Sequence, residues 1–173
     1  MKQSKRKAKT ESGRRRKAPA NAVTEQLRTY ASRGVFREFT VKEWPAGVVE
    51  YRFVYLTPKA VRARFVSKSG LLTLVDLLPD IKAQSEMDRA LRAFVAGRFS
   101  PKLPEHRRIS RRSISKLVCS NRNRKVSLRI TLSKRDPATG ARQAVLLISE
   151  VFQNFLSGPY HEYMVRNFDL RED

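Results

Sequence analysis

Val126, Leu128, Ile130 and Leu132 alternate with Ser127, Arg129, Thr131 and Ser133. A two-residue period of this kind predicts a strand with one buried face. Ile114 to Ser120 supplies an antiparallel partner. Asn121-Arg122-Asn123-Arg124 supplies the turn between them, because Asn tolerates positive φ. Val49, Tyr51, Phe53 and Tyr55 repeat the pattern against Glu50, Arg52, Val54 and Leu56. Ahead of them, Val35, Phe39 and Val41 fall on one alternate set before a Trp44-Pro45-Ala46-Gly47 turn. Val61, Ala63 and Phe65 oppose Arg62 and Arg64, and after Ser67-Lys68-Ser69-Gly70 the run Leu71 to Leu78 is apolar on both sides, as a central strand is.

The helical period marks the remaining elements. Val23, Leu27 and Tyr30 share one face over residues 21–33, which Gly34 ends. Ser85 and Asp88 have capping-box spacing ahead of a stripe of Met87, Ala90, Leu91 and Phe94, and Gly97 is placed to take the left-handed conformation at its end. Asp136-Pro137-Ala138-Thr139-Gly140 reads as a turn. Ala141 to Ser157 is the strongest helix, with Ala144, Val145, Leu147, Ile148, Val151, Phe152, Phe155 and Leu156 inward and Ser149, Glu150, Gln153 and Asn154 toward water. Gly158-Pro159 stops it. A last helix from Tyr160 to about Phe168 buries Tyr160, Met164 and Phe168.

Four strands, a helix, a hairpin and a helix imply an α+β fold: a mainly antiparallel sheet of about six strands with two or three helices packed on one face. Residues 1–20 hold Met1 as their only large apolar side chain. They cannot bury enough surface to offset their ordering entropy, and are expected to form a disordered basic N-terminal arm. Residues 21–173 then form one α+β domain, which suits a chain of 173 residues.

Charge changes this picture most. The formal net charge is +21, and an excess of that size calls for an anionic partner. Nine basic residues and one acid lie in 1–19, and eleven basic residues and one acid lie in 106–137, whereas 138–173 are slightly acidic. The first block includes Lys5, Arg6, Lys7, Arg14, Arg15, Arg16 and Lys17. The second includes Arg107, Arg108, Arg111, Arg112, Lys116, Arg122, Arg124, Lys125 and Arg129. The arginines of this second block outnumber its lysines, and a planar guanidinium fork suits phosphate oxygens. The buried set of the hairpin strand forces Arg129 outward. Arg52, Arg62 and Arg64 extend the basic surface if their strands turn the same face to solvent. Tyr51, Phe53 and Tyr55 are core residues on this pattern, with a stacking platform for bases as the alternative.

Catalytic chemistry has little to build on. His106 lies in a charged loop, and His161 has no second His at metal-ligand spacing. Cys119 lies near Lys116 and Arg122, but reads as a small strand residue; a lone cysteine forms no intramolecular disulfide. No phosphate-binding glycine loop or nucleophile elbow occurs. Asp76, Asp80 and Glu86 are close in sequence without completing a metal site. The expectation is therefore a non-catalytic protein with no cofactor and no metal. It binds RNA or DNA along the phosphate backbone, through the basic hairpin and the arm. The alternative is an adaptor whose basic face meets an acidic protein, and the acidic C-terminal segment permits self-association. No run approaches the roughly 20 apolar residues of a membrane-spanning helix, and the expected location is cytoplasmic or nucleoid-associated, or nuclear in a eukaryote.

Overall fold

The computed structural model describes residues 18–170. Residues 1–17 of the expected arm, Lys5 to Lys17 included, lie outside the described residues, and its last two, Pro19 and Ala20, are helical. The first helix, α1 (Pro19–Ser32), begins two residues earlier than the apolar pattern suggests, because Pro19 occupies its first turn, where a missing N–H costs nothing. Six strands follow: β1 (Arg37–Trp44), β2 (Val48–Val54), β3 (Ala60–Val66), β4 (Leu71–Leu78), β5 (Ile114–Arg122) and β6 (Lys125–Leu132). Helix α2 (Glu86–Ala96) separates β4 from β5. Helix α3 (Pro137–Glu150) continues into a π-helical turn (Val151–Leu156), and α4 (His161–Phe168) follows.

The sheet is antiparallel throughout, in the order β1-β2-β3-β4-β6-β5. Its inner face presents Val49, Phe65, Leu72 and Ile130 in one register row and Tyr51, Ala63, Leu74 and Leu128 in the next. These side chains are buried against α1 and α3 in one continuous core. Tyr51, 1% exposed, bonds Thr24 Oγ1 at 2.8 Å, and Phe53 stacks on Phe36 at 4.1 Å between ring centroids. Tyr51 and Phe53 are core, not a stacking platform. Tyr55 is half-buried, with its hydroxyl on Ser149 Oγ. The four helices match the four helical stretches of the pattern and exceed the two or three helices expected of the fold.

Several local expectations are corrected. Phe36 is buried where Val35 was expected to be, and Val35 is exposed. A bulge between Arg37 and Thr40, with Glu38 at φ 53°, shifts the alternation by one residue. Gly97 is right-handed (φ −66°), and the chain winds on through a 3-10 turn to Phe99. The hairpin turn is tighter than four residues. Arg122 pairs with Lys125, and only Asn123 and Arg124, both at positive φ, form the loop. Residues 136–140 are not a free turn. Asp136 caps α3 by accepting from the Thr139 N–H at 3.1 Å, and Pro137 fills the first turn. Glu150, placed on the wet face of its helix by periodicity, is buried, and so is the capping-box residue Asp88.

Candidate nucleic-acid interface

In an antiparallel pair, directly opposed residues point to the same side of the sheet. The register therefore decides which charges share a surface. One row runs Lys42–Glu50–Arg64–Thr73–Arg129–Val118 across all six strands. The neighbouring rows hold Thr40–Arg52–Arg62–Val75 on one side and Trp44–Val48–Val66–Leu71–Thr131–Lys116 on the other. All these residues lie on the face opposite the core, which no helix among the described residues covers. Lys42, Arg52, Arg62, Arg64, Lys116 and Arg129 are exposed there, and alternation along β5 and β6 adds Arg122 and Lys125 at the hairpin end.

The acids on this face are few and clustered. The bulge at Glu38 brings its carboxylate to 3.7 Å from Arg52. A second bulge in β4, with Asp76 at φ 47° and its N–H donating to Ser127 Oγ, brings the Asp76 carboxylate to 2.9 Å from Arg62. Both pairs are solvent-exposed and contribute little to stability. Glu50 lies between Lys42 and Arg64 in its row. Arg64, Arg129 and Lys116 make no ion pair among the described residues. Arg64 and Arg129 stand two strands apart, about 10 Å, on either side of neutral Thr73, and the whole face is about 24 Å wide from β1 to β5.

The surface is relieved by two shallow depressions. One, of about 370 Å³, lies over β1 to β4 and is lined by Lys42, Arg52, Arg62 and Arg64. The other, of about 260 Å³, lies over β4, β6 and β5 and is lined by Lys116, Val118, Arg129 and Thr131. Trp44, 44% exposed, stands at the β1 rim with Lys42 Nζ 3.9 Å from its ring centre.

The basic run of the sequence is thus divided. Arg122, Lys125 and Arg129 lie on the open face. Arg124, in the turn, holds Asp80 through both Nε (2.8 Å) and Nη2 (2.6 Å). Arg107 is turned inward onto Glu150. Arg108, Arg111 and Arg112 sit in the connection before β5, beside Phe99 and Gln143, in a cleft of their own. From the start of β5 to the hairpin turn is about 27 Å. Lys42 was missed altogether, since its strand alternates weakly. Arg52, Arg62 and Arg64 join Arg129 through the ladder β3-β4-β6, which no local pattern encodes.

Other candidate chemistry resolves as follows. Cys119 faces inward, and burial pushes its thiol up to about 11. His106 and His161 are exposed. Asp76 and Asp80 are engaged by Arg62 and Arg124, and Glu86 stands in the first turn of α2. Among the described residues, no group of three or more His, Cys, Asp or Glu side chains is gathered as metal ligands, and no helix is long and apolar enough to cross a membrane. No family model, curated protein or solved structure matches the chain, so the functional reading rests on geometry and charge.

Proposed function

We propose that this protein binds nucleic acid along the phosphate backbone, with the open face of the sheet as its folded contact surface and the basic residues of 1–17 adding charge. The observation that carries this reading is the placement of Arg64 and Arg129 in one register row, exposed and without an ion pair among the described residues, with further cations on both sides. Guanidinium groups spaced over a sheet can meet successive phosphates without ordering the backbone, at a cost of about 0.5–1.5 kcal/mol for each side chain immobilised. The aromatic side chains of β2 are spent on the core, so recognition by a row of stacked bases has no support, and backbone contact is the mode favoured.

The test is a salt titration of binding. The slope of log affinity against log salt is about −0.9 per neutralised phosphate on duplex DNA and about −0.7 on a single strand. Arg64→Ala with Arg129→Ala reduces the steepness by roughly 1.4 to 1.8 if each arginine meets one phosphate, with sequence preference unchanged. Removing 1–17 weakens binding further. A slope that the double variant leaves untouched overturns the assignment of the open face. A nuclease-treated pull-down distinguishes the adaptor alternative, in which an acidic protein partner survives loss of the nucleic acid.

A further inference from the structure

The connection between α2 and β5 carries a second cationic feature that the open face does not use. Arg108, Arg111 and Arg112 line a cleft of about 540 Å³ with Phe99, Ser110 and Gln143. It includes Gln143 of α3 and shares no lining residue with the depressions of the open face. The loop is tied down at several points. Arg107 is clamped on buried Glu150, the Ile109 N–H donates to the Arg98 carbonyl at 2.8 Å, and the Ser110 N–H donates to Gln143 Oε1 at 3.0 Å. The Ser133 N–H closes the far end onto the Ser113 carbonyl.

Two of the arginines on this loop, Arg108 and Arg111, are oriented as well as anchored. The Arg111 guanidinium lies 3.9 Å from the centre of the Phe99 ring. Arg108 Nη1 reaches the Pro101 carbonyl at 3.4 Å, and the backbone N–H of Arg112 donates to Ser110 Oγ, which fixes the chain at that residue. Glu105 is the one acid lining the cleft, and none of the three arginines makes an ion pair among the described residues. Like charges held together on a pinned loop repel one another, and the arrangement leaves their donors to an anion.

We propose that this cleft is a phosphate-binding site separate from the open sheet face, taking a phosphate group presented by a small molecule or by a strand end. The guanidinium forks of Arg111 and Arg112 supply paired N–H donors, and the exposed rim admits a dianion without requiring the core to open.

Titration calorimetry of the full chain with inorganic pyrophosphate at physiological salt tests this. One saturable site is expected. Arg111→Gln with Arg112→Gln weakens it about tenfold or more, which is a loss of about 1.4 kcal/mol, while Arg64→Gln with Arg129→Gln leaves it unchanged. Both variants change exposed residues, and an unaltered melting temperature verifies the fold. Absence of a saturable site, equal binding by the Arg111/Arg112 variant, or an equal loss in the Arg64/Arg129 variant overturns the proposal. Displacement of pyrophosphate by a 5′-phosphorylated oligonucleotide but not its 5′-hydroxyl counterpart assigns the ligand to a strand end. Displacement by neither assigns it to a small phosphate. Equal displacement by both means backbone phosphates fill the cleft, and the separate site is lost.

Discussion

Arg107 donates to both carboxylate oxygens of Glu150, with Nε 3.0 Å from Oε1 and Nη2 2.9 Å from Oε2, across 43 residues of sequence. Arg98 donates to the same Oε2, and Asn154 Nδ2 donates to Oε1 at 3.1 Å. Glu150 is 4% exposed and stands where α3 passes into its π turn. A buried carboxylate is tolerable only because these donors satisfy it, and removing one partner strands the others. Glu150→Ala should therefore destabilise the fold by about 3–5 kcal/mol, measured by urea unfolding. A loss under about 1 kcal/mol, the range of an exposed pair, would show that the pair is solvated.

The same carboxylate links stability to acid. Burial alone pushes Glu150 up, but the hydrogen bonds and charges of Arg107 and Arg98 outweigh it and hold the group below its ordinary value of 4.5. Asp88 is likewise held down by Asn121, the Gln84 N–H and Arg92 against the effect of burial. A carboxyl lowered on folding stabilises the native state above its unfolded pKa, and that contribution disappears as pH falls through the folded pKa. The melting temperature should decline as pH is taken from about 6 to about 3, and Glu150→Gln should decline less over that window. Equal acid sensitivity in the two proteins would remove Glu150 from this account.

Adjacent residues of β6 should behave oppositely. Leu128 is 1% exposed and opposes Leu74 in the inner row. Leu128→Ala should cost about 2–5 kcal/mol through lost burial and a residual cavity. Arg129, one residue on, faces solvent with no ion pair among the described residues, and Arg129→Ala should change stability by no more than about 0.5 kcal/mol. Thermal melts of the two variants test the sidedness of the strand directly.

Gly140 has no room for a side chain. A Cβ there would lie 3.0 Å from the Ser113 carbonyl oxygen and 3.0 Å from Leu132 Cδ2. The first turn of α3 thus packs directly on the start of β5 and the end of β6. Gly140→Ala should destabilise by about 1–3 kcal/mol despite alanine's better helix propensity. Gly158→Ala, where nothing lies within 4 Å, serves as the comparison in the same melting experiment. Indistinguishable melts would mean that the neighbours can give way.

Local patterns carried much of this fold. The alternation in β2, β3 and β6, the capping Ser85 and the long stripe of α3 are each short-range signals, and each describes its element well because one apolar face must be buried. Elsewhere a nonlocal contact overrules the local rule. The bulge at Glu38 put Phe36, not Val35, on the inner side with Phe39 and Val41. Gly97 stayed right-handed in a chain that winds on to bring Arg98 to Glu150. Glu150 looked polar and solvated until Arg98 and Arg107 were placed beside it.

The same division holds for the candidate site. Sequence alone determined the excess of positive charge, the identity of its arginines and the outward direction of Arg129, because side-chain alternation is a property of one strand. Only the tertiary structure decided which charges act together. The register from β3 through β4 to β6 joined Arg64 to Arg129, while the path of the α2–β5 connection turned Arg107 onto buried Glu150 and set Arg111 and Arg112 apart. Charge is a property of residues, but a surface is a property of strand pairing, and pairing depends on contacts between segments far apart in the chain.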